Sequence, residues 1–152
     1  MDMNDNSPAT ALVGLWRLEE AFVVDDNDRK IAPAFGARPS GYIDYRPDGM
    51  MITVVADLDR PKLSGDRLAA PAEERAAAFS GTSAYAGRYV FDGRKVTHTV
   101  EVATVPNWVG TEVVRYVELA GDRAIYRTAP QILNGVSTVI RLVWTRHKPQ
   151  SA

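Results

Sequence analysis

Three side chains able to hold or move a proton fall, by alternation, on the apolar faces of predicted strands. In THTVEVATVPNWVGTEVVR, Thr97 to Arg115, His98 shares its face with Val96, Val100 and Val102, and Arg115 shares its face with Val113 and Val117. A turn centred on Pro106-Asn107 would set position 98 opposite position 115, where cross-strand Cβ atoms lie about 5 Å apart. A buried guanidinium cannot shed its charge at neutral pH, so it needs a carboxylate, a bound anion or a wet pocket. Glu20 is the one acid that alternation places on the inner side of LWRLEEAFVV, Leu15 to Val24, together with Trp16, Leu18, Phe22 and Val24. The chemistry these three imply is an anchor and a proton shuttle. Arg115 would hold a carboxylate, enolate or phenolate. His98, with an ordinary pKa of about 6.5, would transfer a proton, and Glu20 would orient the imidazole or act as the base. The same residues also admit a structural arrangement, a buried Arg–Glu pair beside a hydrogen-bonded histidine.

A second group suits ligand contact. Tyr45 and Tyr126 project inward on the same alternation, each offering apolar area and one hydroxyl. Met51 supplies a flexible thioether for a core or a pocket wall. Asn107 and Trp108 occupy the VPNWVG turn, where a tryptophan is expected to fold over a barrel end, either shielding a pocket mouth or capping the core. Trp144 fits either face of its strand. Metal chemistry is poorly supported. There is no cysteine, and the two histidines, His98 and His147, lie far apart in sequence. Gly-rich phosphate loops, dinucleotide fingerprints and G-x-S-x-G elbows are absent, so no cofactor is expected. DDNDRK lacks the spacing and glycine of an EF-hand and reads as a solvated turn.

The elements that must position these residues are strands. After the first run, IAPAFGARPSG reads as a loop. GYIDYRPDGMMITVV reads as a hairpin about Pro47-Asp48-Gly49, with Ile43 and Tyr45 inward and Met51 and Thr53 beside them. The rhythm breaks from Asp57 to Gly87. There PAEERAAAF predicts a short helix with Pro71 at its first position, Glu73 and Glu74 at the positive end of its dipole, and Gly81 at its close. Such an insert can plug or lid a barrel mouth. Strands resume at Arg88 to Phe91, continue through the His98 and Arg115 pair and AIYRT, and finish with Val136 to Arg146. About eight antiparallel strands and one short helix follow. A closed or nearly closed barrel of that size removes its edges and leaves room for one small ligand. An open sheet folded over the helix is the competing arrangement.

The order LVGLWRL, GYIDYRPDGMM, PAEERAAAFSGTSAYAGRY, HTVEVATVPNWVGTEVVR, IRLVW resembles the bacterial lipocalin-like domain family, from Leu12 to Arg146, and Gly14-Leu-Trp16 resembles the G-x-W opening of lipocalins. The resemblance implies a calycin-like antiparallel barrel around a cavity. It also implies a basic residue, Arg141 or Arg146, packed on Trp16. Related small barrels bind apolar molecules or catalyse cofactor-free cyclisation, isomerisation or elimination. The chain of 152 residues suits one domain, 12–147, between disordered tails at 1–11 and 148–152. Eighteen basic side chains nearly balance nineteen acidic ones, which argues against nucleic acid as a partner. The start MDMNDNSPAT is unlike a signal peptide, and no apolar run approaches the ~20 residues of a membrane span, so a cytoplasmic monomer or homodimer is expected. Three functions fit these observations. The first is a barrel binding a small, partly apolar molecule, aromatic or polyketide-like. The second is a cofactor-independent isomerase, cyclase or lyase, and the third a structural or interaction module.

Overall fold

The structure, a computed structural model, describes residues 8–149. The tail expectations for 1–7 and 150–152 lie outside the described residues. Residues Pro8–Thr10 form a single 3-10 turn. The strands are β1 (Gly14–Asp25), β2 (Lys30–Pro33), β3 (Pro39–Tyr45), β4 (Met50–Asp57), β5 (Thr82–Phe91), β6 (Lys95–Ala103), β7 (Glu112–Ala120), β8 (Arg123–Arg127), β9 (Gln131–Leu133) and β10 (Val136–Arg146), and the helix α1 is Ala72–Ser80. Eight of the strands run β1-β3-β4-β5-β6-β7-β8-β10, and β10 pairs back onto β1 to close a barrel. The short β2 and β9 extend the sheet beside β1 and β10. Every pairing is antiparallel, as short turns between consecutive strands require. No helix among the described residues is long and apolar enough to cross a membrane.

Alternation builds the core. Ile43, Tyr45, Met51 and Val55 are buried on β3 and β4, while Ile52 and Val54 between them are exposed. The hairpin has the expected register, with Ile43 opposite Thr53 and Tyr45 opposite Met51. Gly49 makes this possible at φ +88, a conformation that only glycine adopts without strain. One end of the barrel is sealed by Trp16. Its ring is fully buried, its Nε1 donates to the Leu12 carbonyl, and the Arg146 guanidinium lies 4.2 Å above its centroid. Arg146 also donates to the carbonyls of Val13 and Ala11, so it ties the first and last strands together. Of the two arginines expected over Trp16, Arg146 takes that place.

Two β-bulges change the facing of residues that strict alternation predicts. In β1 the pairing with β10 slips between Leu18 and Glu20. A one-residue slip moves every later side chain to the opposite face. Ala21 and Val23 therefore pack on the core, while Glu20 is turned away from it. In β6 the pairing with β5 slips between Gly87 and Ala86, and Val102, expected inward beside Val100, is largely exposed. Gly87 is what lets β5 meet this bulge. A Cβ there would collide with the Thr99 carbonyl and stand 3.0 Å from the Glu101 nitrogen. Gly87→Ala should therefore cost about 1–3 kcal/mol, as backbone overpacking does, measured as a lower urea midpoint at constant slope.

Helix α1 begins at Ala72, with Pro71 just ahead of it, and Gly81 caps its far end by donating to the Ala78 carbonyl. Glu73 and Glu74 lie in its first turn, and Glu74 accepts both the N–H and the hydroxyl of Ser64. No residue of the helix is buried.

Candidate functional site

Inside the barrel, His98 is the centre of a hydrogen-bonded chain of four side chains. Its Nε2 is 2.8 Å from the Tyr45 hydroxyl and its Nδ1 is 2.7 Å from the Tyr85 hydroxyl. The Tyr126 hydroxyl donates to that of Tyr45 at 2.9 Å. Four different strands contribute: Tyr45 from β3, Tyr85 from β5, His98 from β6 and Tyr126 from β8. Each faces inward because its neighbours two residues away are also core residues, such as Ile43 beside Tyr45 and Val96 and Val100 beside His98.

Burial sets the electrostatics. It lowers the His98 pKa from 6.5 to about 3, and the positive charge of Arg115 adds to the effect, so the imidazole is neutral at physiological pH. Burial pushes the Tyr85 hydroxyl up to about 12, against a small opposing pull from Arg115. Tyr45 is held well above the ordinary tyrosine value by burial and by its tyrosine neighbours, and Tyr126 is raised mainly by burial. All three phenols are therefore neutral donors.

One side of this chain fronts a chamber of about 80 Å³. Its polar lining comes from Tyr85, His98, Arg115 and Tyr126, with Thr53 and Ser83. The apolar wall comes from Phe35, Ile43, Val55, Ile140, Leu142 and Trp144. Arg115 is half-buried, donates to the Val114 carbonyl at 2.9 Å, and enters none of the ion pairs found among the described residues. No carboxylate lines the chamber among the described residues. Trp144 is 2% exposed, and its Nε1 finds no acceptor there either. A buried donor left unpaired costs about 1–3 kcal/mol, so the chamber wall holds unspent hydrogen-bonding capacity. A wider groove of about 340 Å³ lies across β4, β5 and β6, lined by Ile52, Val54, Ala84, Ala86 and Val102 among others. Tyr85 lines both, while His98, Arg115 and Tyr126 line the smaller inner chamber.

The structure gathers some of the expected residues and separates others. His98 and Arg115 both line the chamber, but they are not cross-strand partners. His98 pairs with Val113, and Arg115 pairs with Val96. The 3-10 turn at Pro106–Trp108, with Gly110 at φ +81, moves the turn centre toward the β6 side. The offset is two residues, so both side chains keep the inner face. Glu20 stands apart. The β1 bulge turns it outward to Lys30 at 3.5 Å and Arg141 at 3.7 Å, in a network that continues through Asp28 to Arg127. It therefore neither pairs with Arg115 nor orients His98. Tyr45 and Tyr126 are buried in the chain of hydroxyls. Met51 is fully buried beside Tyr45 in the core and does not line the chamber. Asn107 is exposed at the loop tip. Trp108 packs edge-on against Tyr85, with centroids 6.0 Å apart, and so covers the phenol rather than reaching the chamber. The helix does not plug the barrel, since none of its residues lines the chamber; Phe35, from the segment between β2 and β3, does. Phe35 holds a left-handed backbone at φ 60 next to Gly36 at φ +74. Tyr85 and Phe35 are not singled out by the sequence, and Trp144, which alternation lets face either way, lines the chamber. Tyr85, Gly87, Tyr89 and Phe91 alternate, and extending the β5 pattern backwards from Phe91 would have found the first of them. Among the described residues no group of three or more His, Cys, Asp or Glu is placed to hold a metal.

Comparison with known proteins adds a lineage. A family model described as a lipocalin-like domain matches residues 13–147. A curated protein of Aspergillus oryzae, named a 4'-hydroxy-3'-methoxypropiophenone carrier protein, is 32% identical over 83 residues, which cover 49% of this chain and 75% of the relative. No solved structure matches.

Proposed function

From the premise that the chain belongs to the lipocalin-like domain family, we propose that its barrel binds a small, partly apolar aromatic molecule, with an acidic oxygen of that molecule held against Arg115. The observation that carries this reading is an arginine in the wall of a partly apolar chamber that no carboxylate lines among the described residues. A half-buried cation of this kind is stabilised by an anion or by water, and the apolar part of the wall favours an organic anion over water alone. The relative named as a carrier of a hydroxy-methoxyphenyl ketone supports the same class of ligand. The chamber is smaller than the roughly 300–1,000 Å³ usual for organic ligands, so a substituted ring needs Phe35 to swing aside. Phe35 is suited to this, because its strained backbone lies in a segment between strands.

A cofactor-independent isomerase, cyclase or lyase draws less support. An imidazole with a pKa of about 3 is a weak base near neutrality, and the N–H of its neutral ring is too weakly acidic to serve as a general acid. Both its nitrogens are already engaged by tyrosines, and Glu20 is elsewhere.

Binding of 4'-hydroxy-3'-methoxypropiophenone, followed by tryptophan fluorescence and calorimetry, tests the proposal. Arg115→Met should weaken binding about 10- to 100-fold, the worth of one charge-assisted hydrogen bond, with the melting temperature nearly unchanged. Unfolding of the variant, or undiminished affinity in a folded one, would assign Arg115 to structure instead.

A further inference from the structure

The donors around the chamber are aligned, and their alignment specifies the protonation state of the guest. The Tyr126 hydroxyl gives its hydrogen to Tyr45. Tyr45 then has its own hydrogen left, and donating it to His98 Nε2 keeps that hydrogen from being stranded in the barrel interior, where Tyr45 is buried. Nδ1 therefore carries the ring hydrogen and donates to the Tyr85 oxygen. The Tyr85 hydrogen is left over, and Tyr85 lines the chamber. Trp144, whose Nε1–H has no acceptor among the described residues, belongs to the same wall, as does Arg115. Ionisable groups face the chamber from β5, β6, β7 and β8 as Tyr85, His98, Arg115 and Tyr126, while β3, β4 and β10 contribute uncharged side chains only. The wall thus offers hydrogens and one positive charge, and no negative charge.

Resting on the binding reading above, we infer that the chamber selects the ionised form of a phenol: the phenolate oxygen accepts from Tyr85 and Trp144 beside the Arg115 charge, and the Tyr126–Tyr45–His98 relay keeps the Tyr85 hydrogen directed at it. The phenol proton passes to solvent on binding, since every nitrogen of His98 is committed. Tyr85 and Trp144 contact the guest directly; His98 is a positioning residue.

The experiment is an absorbance titration of 4-nitrophenol bound to the whole protein, with 4-nitroanisole as a non-ionisable probe of the same shape. The bound phenol should ionise at least one pH unit below the free one, which by linkage means at least tenfold tighter binding of phenolate than of phenol. Nitroanisole should bind weakly and independently of pH. Arg115→Met should abolish the shift or reverse its sign, because the apolar wall alone disfavours the anion. Tyr85→Phe should reduce it. His98→Gln should shrink the shift while Arg115 remains in place; an unchanged shift in a merely less stable variant would reduce His98 to a structural role. Nitrophenol that binds with an unshifted or raised pKa overturns the selection of phenolate and leaves the binding barrel standing. Failure of both probes to bind at millimolar concentration overturns both.

Discussion

Between pH 7 and pH 4 the protein should lose about 3 kcal/mol of stability through His98 alone, at about 1.4 kcal/mol per pH unit. The folded chain keeps the imidazole neutral down to a pKa of about 3, whereas the unfolded chain takes up its proton near 6.5. Below 6.5 the unfolded state therefore binds one more proton than the folded state, and stability falls with falling pH until about 3. The contribution is fully present above 6.5. Surface carboxylates such as Asp25 and Asp92, which their backbone hydrogen bonds hold below the ordinary value, also titrate in acid. They are common to the wild type and to His98→Gln. Urea midpoints of both proteins across this range isolate the histidine. The wild type should lose ground to the variant by the stated slope, and parallel curves would mean that the imidazole is hydrated or protonated in the folded state.

Tyr45→Phe should be the most damaging single-atom deletion in the hydroxyl chain. It leaves the Tyr126 hydroxyl and His98 Nε2 without their partner in the barrel interior. At about 1–3 kcal/mol for each stranded group the loss is roughly 2–6 kcal/mol, with almost no change in volume. Tyr85→Phe strands only His98 Nδ1, beside the chamber, and should cost less than half as much. Denaturant unfolding of the two variants makes the comparison. Equal losses would show that the hydroxyls exchange partners freely and that no ordered chain exists.

The barrel was legible in the sequence because alternation and turn residues carry the same information as the ladder. Pro47-Asp48-Gly49 turns the chain so that Met51 and Thr53 fall beside Ile43 and Tyr45, and the ladder pairs Ile43 with Thr53 and Tyr45 with Met51. His98, Tyr45 and Tyr126 were legible as inward residues for the same reason. What periodicity cannot carry is a slip in phase. Glu19-Glu20 puts two charges in succession, and strict counting assigns the second to the core; the bulge there sends it to Lys30 and Arg141. Val102 is misplaced in the same way by the β6 bulge. The partners of His98 were hidden for a different reason. Tyr45 comes from β3, separated from β6 by β4 and β5, so its reach to His98 depends on the curvature of the barrel and not on local pattern, whereas Tyr85 comes from the neighbouring β5. Of the two, Tyr45 was recognised as inward but not as a partner. Tyr85 lay in a segment whose alanines and glycines blur the rhythm.

The seam between β1 and β10 joins Trp16 to Arg146, across nearly the whole described chain. Until Val136–Arg146 has left the ribosome, the nascent polypeptide carries two bare ladder edges, one on β1 and one on β8, each able to recruit a stray strand. Zipping that distant seam is a slow, entropically costly step. The barrel is therefore most open to self-association while the eleven-residue strand Val136–Arg146 is the one part of its wall still wanting.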